Sequence, residues 1–355
     1  MEGKSRIYIA GHTGLVGSAL HRKLVQEGYA NIVCRGPDEL DLRRQDDVER
    51  FFAAEKPEYV FLAAARVGGI LANSTYKAEF IYDNIAISTN IIHAAYAFGV
   101  KKLLNLGTAC IYPKFAPQPM REEHFLTGVL EPTNEPYAIA KIAAIKLCRY
   151  YNEQYGTNFI SVMPINLYGP FDNFNLETAH VIPALIRKFH LATLLQKGDI
   201  AAIRKDVKYY RLGFGHDENM DAASDAFIEK CLASLGVTKD SVTIWGSGEA
   251  YREFLYVEDL AEACTFLMER CNYNDIGEII NIGVGKDMKL KEVVAIVRSV
   301  VGFKGAVRYD ASKPDGTPRK LLDVTRIHAL GWKAKHGLEE GVTKEYKWYL
   351  ERQRA

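Results

Sequence analysis

The segment Tyr137-Ala-Ile-Ala-Lys141 places a phenol and an ammonium group on one face of a predicted helix. A ketone that receives a hydride needs a proton at its oxygen, and a phenol supplies it when a neighbouring lysine lowers the phenol pKa. Thr108 follows the fourth predicted strand and offers a hydroxyl to the same oxygen. Tyrosine–lysine pairs at this spacing also occur by chance on helix surfaces. Three compatible groups together favour a site that reduces a carbonyl.

Glycines spaced three residues apart form a turn directly after the first predicted strand. Gly11 permits a tight turn, Gly14 lets the backbone approach a pyrophosphate, and Gly17 allows a helix to pack closely on the sheet. The helix that begins here presents free N–H groups and its positive dipole end to phosphates. This context predicts a dinucleotide site rather than an ordinary turn. The residues expected at the cofactor in this turn are Gly11, Thr13, Gly14, Leu15, Val16 and Gly17.

The end of the second predicted strand indicates which dinucleotide binds. An acid there accepts hydrogen bonds from the 2′-hydroxyl of NAD, whereas an arginine pairs with the 2′-phosphate of NADP. Arg35 occupies this place and the first acid comes at Asp38, so the sequence favours NADP. A solvated arginine at a strand end is the alternative interpretation. Asp41 and Leu42 follow where an adenine would be bracketed.

Short apolar runs alternate with longer helical stretches in the first half of the chain. The expected strands are 6–10, 32–34, 59–62, 103–106 and 160–163, with 279–282 returning to the same sheet. This alternation predicts an α/β fold: a Rossmann-type doubly wound parallel sheet with a smaller mixed α/β substrate-binding lobe. We expect residues 1–170 and about 253–283 in the NADP-binding domain, and 171–252 and 284–355 in the lobe. The polar stretch of about 190–241 is interpreted as a peripheral insertion or lid.

The bulk composition excludes several classes of function. The 355 residues include 45 basic and 44 acidic side chains, and the net charge of +1 gives no electrostatic reason to expect nucleic acid or an anionic membrane as a partner. No apolar run approaches membrane-spanning length, and the N-terminus shows no signal-peptide core. The six cysteines form no Cys-x-x-Cys pair and no zinc-like spacing, which is typical of reduced thiols in a cytoplasmic enzyme without a bound metal.

Longer motifs occur from one end of the chain to the other. They read GHTGLVGSAL at 11–20, LAAARVGGI at 62–70, GTACIYP at 107–113, EPTNEPYAIAK at 131–141, NLYGP at 166–170 and ASKPDGTPRKLLD at 311–323. Together they resemble the GDP-L-fucose synthase family of the extended short-chain dehydrogenases/reductases. Its members are bifunctional 3,5-epimerases and 4-reductases of GDP-4-keto-6-deoxy-D-mannose. The resemblance covers nearly the whole chain except about residues 190–241.

The resemblance implies roles for the residues that match the family's motifs. Thr108, Tyr137 and Lys141 correspond to its reduction triad, and Cys110 and His180 to its acid/base pair for epimerisation. It also implies cofactor contacts at Ala63, Ala64, Leu106, Gly107, Tyr137, Lys141, Pro164, Asn166, Leu167 and His180. The implied contacts to a GDP-linked keto-deoxy sugar are Lys188, Trp245, Arg252 and Asp315, with Lys313 and Arg319 as further candidates near the diphosphate.

The chemistry of epimerisation suits a thiol and an imidazole. A C4 ketone acidifies the protons on C3 and C5, and inversion needs a base on one face and an acid on the other. Cysteine and histidine both change protonation near neutral pH. From the residues alone, Cys110 also fits a small buried side chain and His180 a capping or packing histidine. Likewise Lys188 and Arg252 fit a solvated face, and Trp245 a core position.

Several alternatives stay open at this point. Thr13 and Pro37 stand where some family members carry arginines, which weakens the NADP preference and leaves Arg35 alone. The same machinery would serve a GDP-6-deoxy-4-keto-heptose reductase. A nucleotide-sugar 4-epimerase or dehydratase is a further alternative, although Thr108-Ala109-Cys110 lacks the two carboxylates of a dehydratase. The intact Tyr137 and Lys141 argue against a cofactor-binding regulator. A homodimer is expected, since dimers are usual among such enzymes.

Overall fold

The computed structural model describes residues 1–217, 223–313 and 316–352. Its helices are α1 (Leu15–Gln26), α2 (Gln45–Glu55), α3 (Ile70–Thr75), α4 (Lys77–Ala97), α5 (Glu135–Tyr155), α6 (Val181–Lys197), α7 (Ile200–Tyr210), α8 (Asp225–Ser234), α9 (Val257–Arg270), α10 (Tyr273–Ile276), α11 (Leu290–Val301), α12 (Thr325–Ala329) and α13 (Leu338–Arg352). Its strands are β1 (Ile7–Ala10), β2 (Ile32–Val33), β3 (Tyr59–Leu62), β4 (Lys102–Leu106), β5 (Phe159–Pro164), β6 (Asn166–Tyr168), β7 (Ser241–Trp245), β8 (Tyr251–Arg252), β9 (Phe254–Tyr256), β10 (Ile280–Ile282), β11 (Met288–Lys289), β12 (Ala306–Asp310) and β13 (Arg319–Lys320).

Six parallel strands form the central sheet, in the order β10-β5-β4-β3-β1-β2. The chain leaves β1 for β2 on one side and then crosses to β3 on the other. The order therefore reverses between β1 and β3, where open α/β sheets bind ligands beyond the carboxyl ends of their strands. The predicted Rossmann-type α/β fold is confirmed, and β10 rejoins the sheet beside β5 as expected.

Both faces of this sheet are covered, because successive side chains of a strand point to opposite sides. Ile7 and Ile9 belong to a buried cluster that includes α1 and α9, whereas Tyr8 and Ala10 belong to a second cluster with α2 and α4. The strand is buried over its whole length. Continuous apolar strands of this kind are the sequence signature of a doubly covered parallel sheet.

Helix α5 carries the predicted tyrosine–lysine pair close to its start. Pro136 lies in its first turn, where a missing N–H costs nothing, and Gly156 ends it in the left-handed conformation at φ +68°. The apolar residues of α5 pack against β5 and α4. Tyr137 and Lys141 therefore lie near the start of a well-packed helix, which follows β4 in the chain.

The chain divides into two compact units. The first comprises Met1–Leu167, Glu253–Gly285 and Leu321–Lys335, and the second Tyr168–Arg252, Lys286–Lys320 and His336–Ala355. Residues 321–335 thus lie in the first unit, whereas the sequence placed all of 284–355 in the lobe. The buried Glu253 carboxylate explains the return of this segment, since it accepts the N–H groups of Gly285 at 2.7 Å and Leu322 at 2.8 Å.

The second unit is organised by α6, which runs without interruption past residue 190. The predicted boundary of an insertion at about 190 falls inside that helix, where His190 is a buried residue. Arg187 on α6 and Asp206 on α7 form a fully buried ion pair with an N–O distance of 2.9 Å, and the Tyr349 hydroxyl donates to the same carboxylate. Helix α7 is thus anchored in the core of this unit rather than lying over it as a lid.

Candidate active site and cofactor turn

Lys141 is the buried cation of the first unit's candidate site. Its side chain is 5% exposed, and its Nζ donates a hydrogen bond to the carbonyl oxygen of Leu106 at 2.7 Å. The Nζ also lies 5.8 Å from the ring centroid of Tyr137. Burial lowers the pKa of Lys141 to about 8. The ammonium form therefore predominates at neutral pH, and it loses its proton as the pH rises through about 8.

Tyr137 is held as a proton donor. Burial, followed by the nearby thiol of Cys110, raises the phenol pKa above its usual value. We expected Lys141 to lower this pKa, and the structure differs because the ammonium bonds to Leu106 and lies over the ring. Phe80 packs edge-on against the same ring at 6.5 Å between centroids. The protonated, packed phenol suits donation to a substrate oxygen.

Thr108 and Cys110 project from one short turn at the end of β4. Thr108 precedes the turn Ala109–Ile111, and its Oγ1 accepts the backbone N–H of Cys110 at 3.3 Å. Ala109 between them is buried, whereas both flanking side chains are half-buried. Cys148, Cys231, Cys264 and Cys271 are buried. Cys110 therefore does not fit the alternative of a small core residue.

The glycine turn at 11–17 has the shape that a pyrophosphate needs. Gly11 has φ +84°, and a Cβ on it would lie 2.7 Å from the Cα of Ala64. A Cβ on Gly17 would lie 2.1 Å from the carbonyl oxygen of Gly11, so any side chain would separate α1 from the turn. The first N–H groups of α1 lack partners within the helix, as at every helix start, and face the turn. These residues fit a dinucleotide.

The remaining cofactor candidates lie along the same sheet edge, since parallel strands end together. Ala63 donates its N–H to Ala10 at 3.0 Å, and Gly107 donates to Val162 at 2.9 Å. The Asn166 side chain donates to the carbonyl oxygen of Glu253 at 2.8 Å, which fixes the start of β6. The candidates at these strand ends are Ala63, Ala64, Leu106, Gly107, Pro164, Asn166 and Leu167.

Arg35 follows β2, as the sequence predicted, but its guanidinium already donates hydrogen bonds within the protein. Its Nη2 donates to Glu55 Oε1 at 2.5 Å and its Nη1 to the Cys34 carbonyl oxygen at 2.8 Å. Asp41 accepts two hydrogen bonds from the Arg43 side chain, each at 2.9 Å, and one from the Arg43 backbone N–H at 3.1 Å, and these lower the pKa of Asp41. The carbonyl oxygen of Leu42 accepts the side-chain amide of Asn90 at 3.0 Å.

His180 belongs to the second unit, at the position before α6. Within the described residues its imidazole makes no capping hydrogen bond to that helix, so the capping interpretation does not hold. Burial of the imidazole, and then the positive charge of Lys320, lower the pKa of His180 below its usual value. The imidazole is therefore neutral at pH 7 and able to accept a proton.

Lys188 bonds to strand β7 of the second unit, the strand that ends at Trp245. The Lys188 Nζ donates to the carbonyl oxygen of Thr243 at 3.1 Å, and burial lowers the pKa of Lys188 to about 8. Trp245, two residues along the strand, is 52% exposed rather than in the core. Lys313 lies with its Nζ 5.4 Å from the indole centroid. An exposed indole beside cations suits a nucleotide.

The other predicted substrate residues are more dispersed. Arg319 forms a bidentate ion pair with Asp287 at 2.6 and 3.0 Å and stacks over Tyr251, so its charge is already balanced. Arg252 donates to the Tyr251 carbonyl oxygen at 2.7 Å. Asp315 lies outside the described residues. Among the described residues, no cluster of three acidic, histidine or cysteine side chains is arranged to hold a metal ion.

The structure thus brings Thr108, Cys110, Tyr137 and Lys141 together in the first unit, and Lys188, Trp245 and Lys313 in the second. Sequence reasoning missed Phe80, which packs on Tyr137, and Glu55, which pairs with Arg35. Their contacts join residues 57 and 20 positions apart along the chain, so no local pattern marks them.

The fold, the glycine turn and the tyrosine–lysine pair define an extended short-chain dehydrogenase/reductase. The model of the NAD dependent epimerase/dehydratase family matches residues 7–205 and 211–283, and the chain belongs to that family. The predicted resemblance to GDP-L-fucose synthases is also confirmed. The chain is 49% identical to GDP-L-fucose synthase 1 of Arabidopsis thaliana over 99% of this chain and 95% of that protein.

Two further proteins are similar to this chain over nearly its whole length. The identity to GDP-L-fucose synthase of Escherichia coli (strain K12) is 49%, over 99% of this chain and 98% of that protein. The solved structure of a GDP-mannoheptose C4 reductase from Campylobacter jejuni with NADP bound has a TM-score of 0.84 and 39% identity, with 99% of each chain covered. The NADP bound to that reductase agrees with the cofactor that the sequence predicts. No helix among the described residues is long and apolar enough to cross a membrane.

Proposed function

We propose that the protein converts GDP-4-keto-6-deoxy-D-mannose into GDP-L-fucose, by epimerisation at C3 and C5 followed by reduction at C4. The observation that carries this proposal is the grouping of Thr108, Cys110, Tyr137 and Lys141 at the end of β4. A plain reductase needs the hydroxyls and the lysine but not the thiol. The GDP-L-fucose synthases of similar sequence support the same substrate.

In the reduction, NADPH supplies a hydride to C4 when it is bound. The Tyr137 hydroxyl donates its proton to the C4 oxygen, which becomes the alcohol. The Thr108 hydroxyl hydrogen-bonds to the same oxygen and stabilises the developing negative charge. The Lys141 ammonium stabilises the phenolate that Tyr137 leaves behind. The fixed bond from Lys141 to Leu106 keeps the ammonium in place during the transfer.

In the epimerisation, Cys110 and His180 act as the acid/base pair. One of them removes the proton from C3 or C5, and the electron pair passes to the C4 oxygen as an enolate. Tyr137 and Thr108 hydrogen-bond to that oxygen. The partner group then returns a proton to the opposite face of the carbon. The lowered pKa of His180 suits this role, because a neutral imidazole accepts a proton at pH 7.

The second unit supplies the groups for the nucleotide. Lys188, Lys313 and Arg252 carry positive charge for the diphosphate, and the exposed indole of Trp245 offers a flat surface for the base. Arg319 contributes only if its pair with Asp287 opens. Asp315 is proposed from the motif alone. These residues suit a GDP-linked sugar, whose two phosphates and purine match cations and an aromatic face.

A GDP-linked 4-keto-heptose is the second candidate substrate. It is favoured by the GDP-mannoheptose C4 reductase at 39% identity, which is lower than the 49% to the GDP-L-fucose synthases. The test is to supply GDP-4-keto-6-deoxy-D-mannose or its heptose analogue with NADPH and identify the products by NMR. We expect GDP-L-fucose as the main product. A kcat/KM at least tenfold higher for the heptose would overturn the hexose assignment.

We also propose that the protein works as a homodimer in the cytoplasm. Its six thiols are free, as in a reducing compartment. Exposed tyrosines line α4 and α5 of the first unit, with Tyr82 68%, Tyr150 53% and Tyr155 47% exposed, which suits a protein interface. Sedimentation velocity tests the assembly: a species of twice the chain mass of 39.9 kDa is expected, and a monomer at micromolar concentration contradicts it.

A further inference from the structure

Arg35 is the basic side chain at the end of β2, the strand end that meets the adenosine ribose in dinucleotide folds, whereas the next cations, Arg43 and Arg44, pair with Asp41 and Asp47. The glycine turn 11–17 holds no lysine or arginine, and the segment 34–42 holds Arg35 beside three acids, Asp38, Glu39 and Asp41. In dinucleotide folds, a cation at this strand end selects the 2′-phosphate, and an acid selects the free 2′-hydroxyl. The balance of charge at this position therefore decides how strongly one cofactor is preferred.

The guanidinium of Arg35 is shared with a carboxylate of the neighbouring helix. Its Nη2 donates to Glu55 Oε1 at 2.5 Å, and its face lies 5.9 Å from the centroid of the Phe51 ring. Glu55 is the last residue of α2 and its side chain is only 16% exposed. Its other oxygen accepts from Arg6, so both oxygens are held and the carboxylate is fixed beside Arg35.

A fixed carboxylate weakens the attraction of Arg35 for a second anion. The guanidinium has five N–H donors, so it can bond to Glu55 and to a phosphate at the same time. The phosphate then approaches an ion pair rather than a lone cation, and it is repelled by Glu55. Glu39 adds a further negative charge at the same turn, since its Oε2 accepts the Gly36 N–H at 2.7 Å.

We propose that Glu55 is a specificity-determining residue, which limits the preference of this protein for NADPH over NADH by sharing Arg35. NADH is then a working cofactor, and removal of the Glu55 charge strengthens binding of the 2′-phosphate. Glu55 acts through Arg35 and touches no reacting atom, so its effect falls on cofactor affinity and not on the chemical step. The turnover side of this proposal rests on the proposed reductase activity, whereas its binding side does not.

Calorimetric titration with 2′,5′-ADP and 5′-AMP tests the proposal, because the two fragments differ only in the 2′-phosphate. Glu55→Gln should bind 2′,5′-ADP about two- to fivefold more tightly than the wild type, the effect expected of one partly exposed ion pair. Its affinity for 5′-AMP should stay unchanged. Unchanged or weaker binding of 2′,5′-ADP would overturn the proposal, since Glu55 would then only position Arg35.

Two further variants test whether the change in affinity arises from the contact between Glu55 and Arg35. Glu49→Gln removes a carboxylate from the same helix, where Glu49 accepts a hydrogen bond from the Gln45 side chain, and should leave both affinities unchanged. Arg35→Gln should reduce the ratio of the two affinities to about that of a site without a phosphate cation. If Arg35→Gln leaves this ratio unchanged, Arg35 does not meet the phosphate and the proposal fails. The melting temperature of each variant verifies its fold.

Kinetics separate this proposal from the proposed function. With an accepted keto sugar, the ratio of kcat/KM for NADPH to kcat/KM for NADH should rise in Glu55→Gln by the same factor as the fragment affinity. An equal rise in kcat/KM for both cofactors would contradict a role of Glu55 in selectivity. If the fragments bind as expected but no keto sugar is reduced, the proposed function fails and the assignment of Glu55 stands.

Discussion

The Nζ of Lys141 lies 2.7 Å from the carbonyl oxygen of Leu106, so the second turn of α5 is bonded to the end of β4. Thr108 and Cys110 follow two and four residues after that carbonyl. One buried bond therefore fixes the lysine, and through α5 also Tyr137, relative to the turn that carries the hydroxyl and the thiol. The geometry of the reaction depends on this connection.

Loss of the Tyr137 hydroxyl should abolish reduction while leaving the fold intact. We expect Tyr137→Phe to lower kcat by roughly 10²–10⁴-fold, the usual contribution of a general acid. Reduction is measured as the fall in NADPH absorbance. Tyr150→Phe on the exposed face of the same helix is the control and should keep wild-type activity. A Tyr137→Phe variant with more than a tenth of wild-type kcat would contradict the assignment.

The reduction should weaken at alkaline pH because Lys141 must be protonated. Burial lowers the pKa of Lys141 to about 8, so the ammonium form is complete well below that pH and is lost above it. The Tyr137 pKa is raised, which moves its ionisation away from this range. We expect kcat at saturating sugar to be level up to about pH 7.5 and to fall above pH 8. A level profile to pH 10 would show that the charge of Lys141 is not needed.

Cys110 should be required for epimerisation more than for reduction. We expect Cys110→Ser to lose exchange of the C3 and C5 protons with solvent, because a serine hydroxyl is far less acidic than a thiol. NMR in D₂O follows this exchange without NADPH. Cys231→Ser in the second unit is the matched control, since Cys231 is buried outside the proposed site. Normal exchange in Cys110→Ser would remove the thiol from the mechanism.

The Arg187–Asp206 pair should stabilise the second unit strongly. Asp206→Ala leaves a fully buried guanidinium without its carboxylate, and we expect the free energy of unfolding to fall by about 3–5 kcal/mol. Asp225→Ala, which breaks an exposed pair with Arg204, should cost about 0–1 kcal/mol. Denaturant unfolding compares the two. Equal losses would indicate that α7 is not held by the buried pair.

Much of the first unit could be predicted from the sequence because its signals are local. β3 has the predicted bounds, and the glycine turn and the Tyr137–Lys141 spacing each depend on a few consecutive residues. The position of residues 321–335 could not be predicted in this way. It depends on Glu253, which bonds to backbone groups of two segments that lie 32 and 69 positions further along the chain.

The second unit was harder to predict for a related reason. The stretch from about 190 to 241 is polar, and a polar stretch indicates exposure. Its buried polar groups, such as Asp206, find partners on α6 and α13 that the local pattern does not reveal. Environment also altered the expected chemistry: the pKa of Tyr137 is raised by burial, although an adjacent lysine in sequence predicted that it would be lowered.

The most direct test is incubation of the protein with GDP-4-keto-6-deoxy-D-mannose in D₂O, with and without NADPH, followed by NMR of the sugar. If a thiol and an imidazole act on the carbons beside the carbonyl, deuterium enters at both C3 and C5 without NADPH. With NADPH present, GDP-L-fucose then accumulates with label at both carbons. Reduction at C4 with no deuterium at either neighbouring carbon would contradict the account and leave a simple 4-reductase.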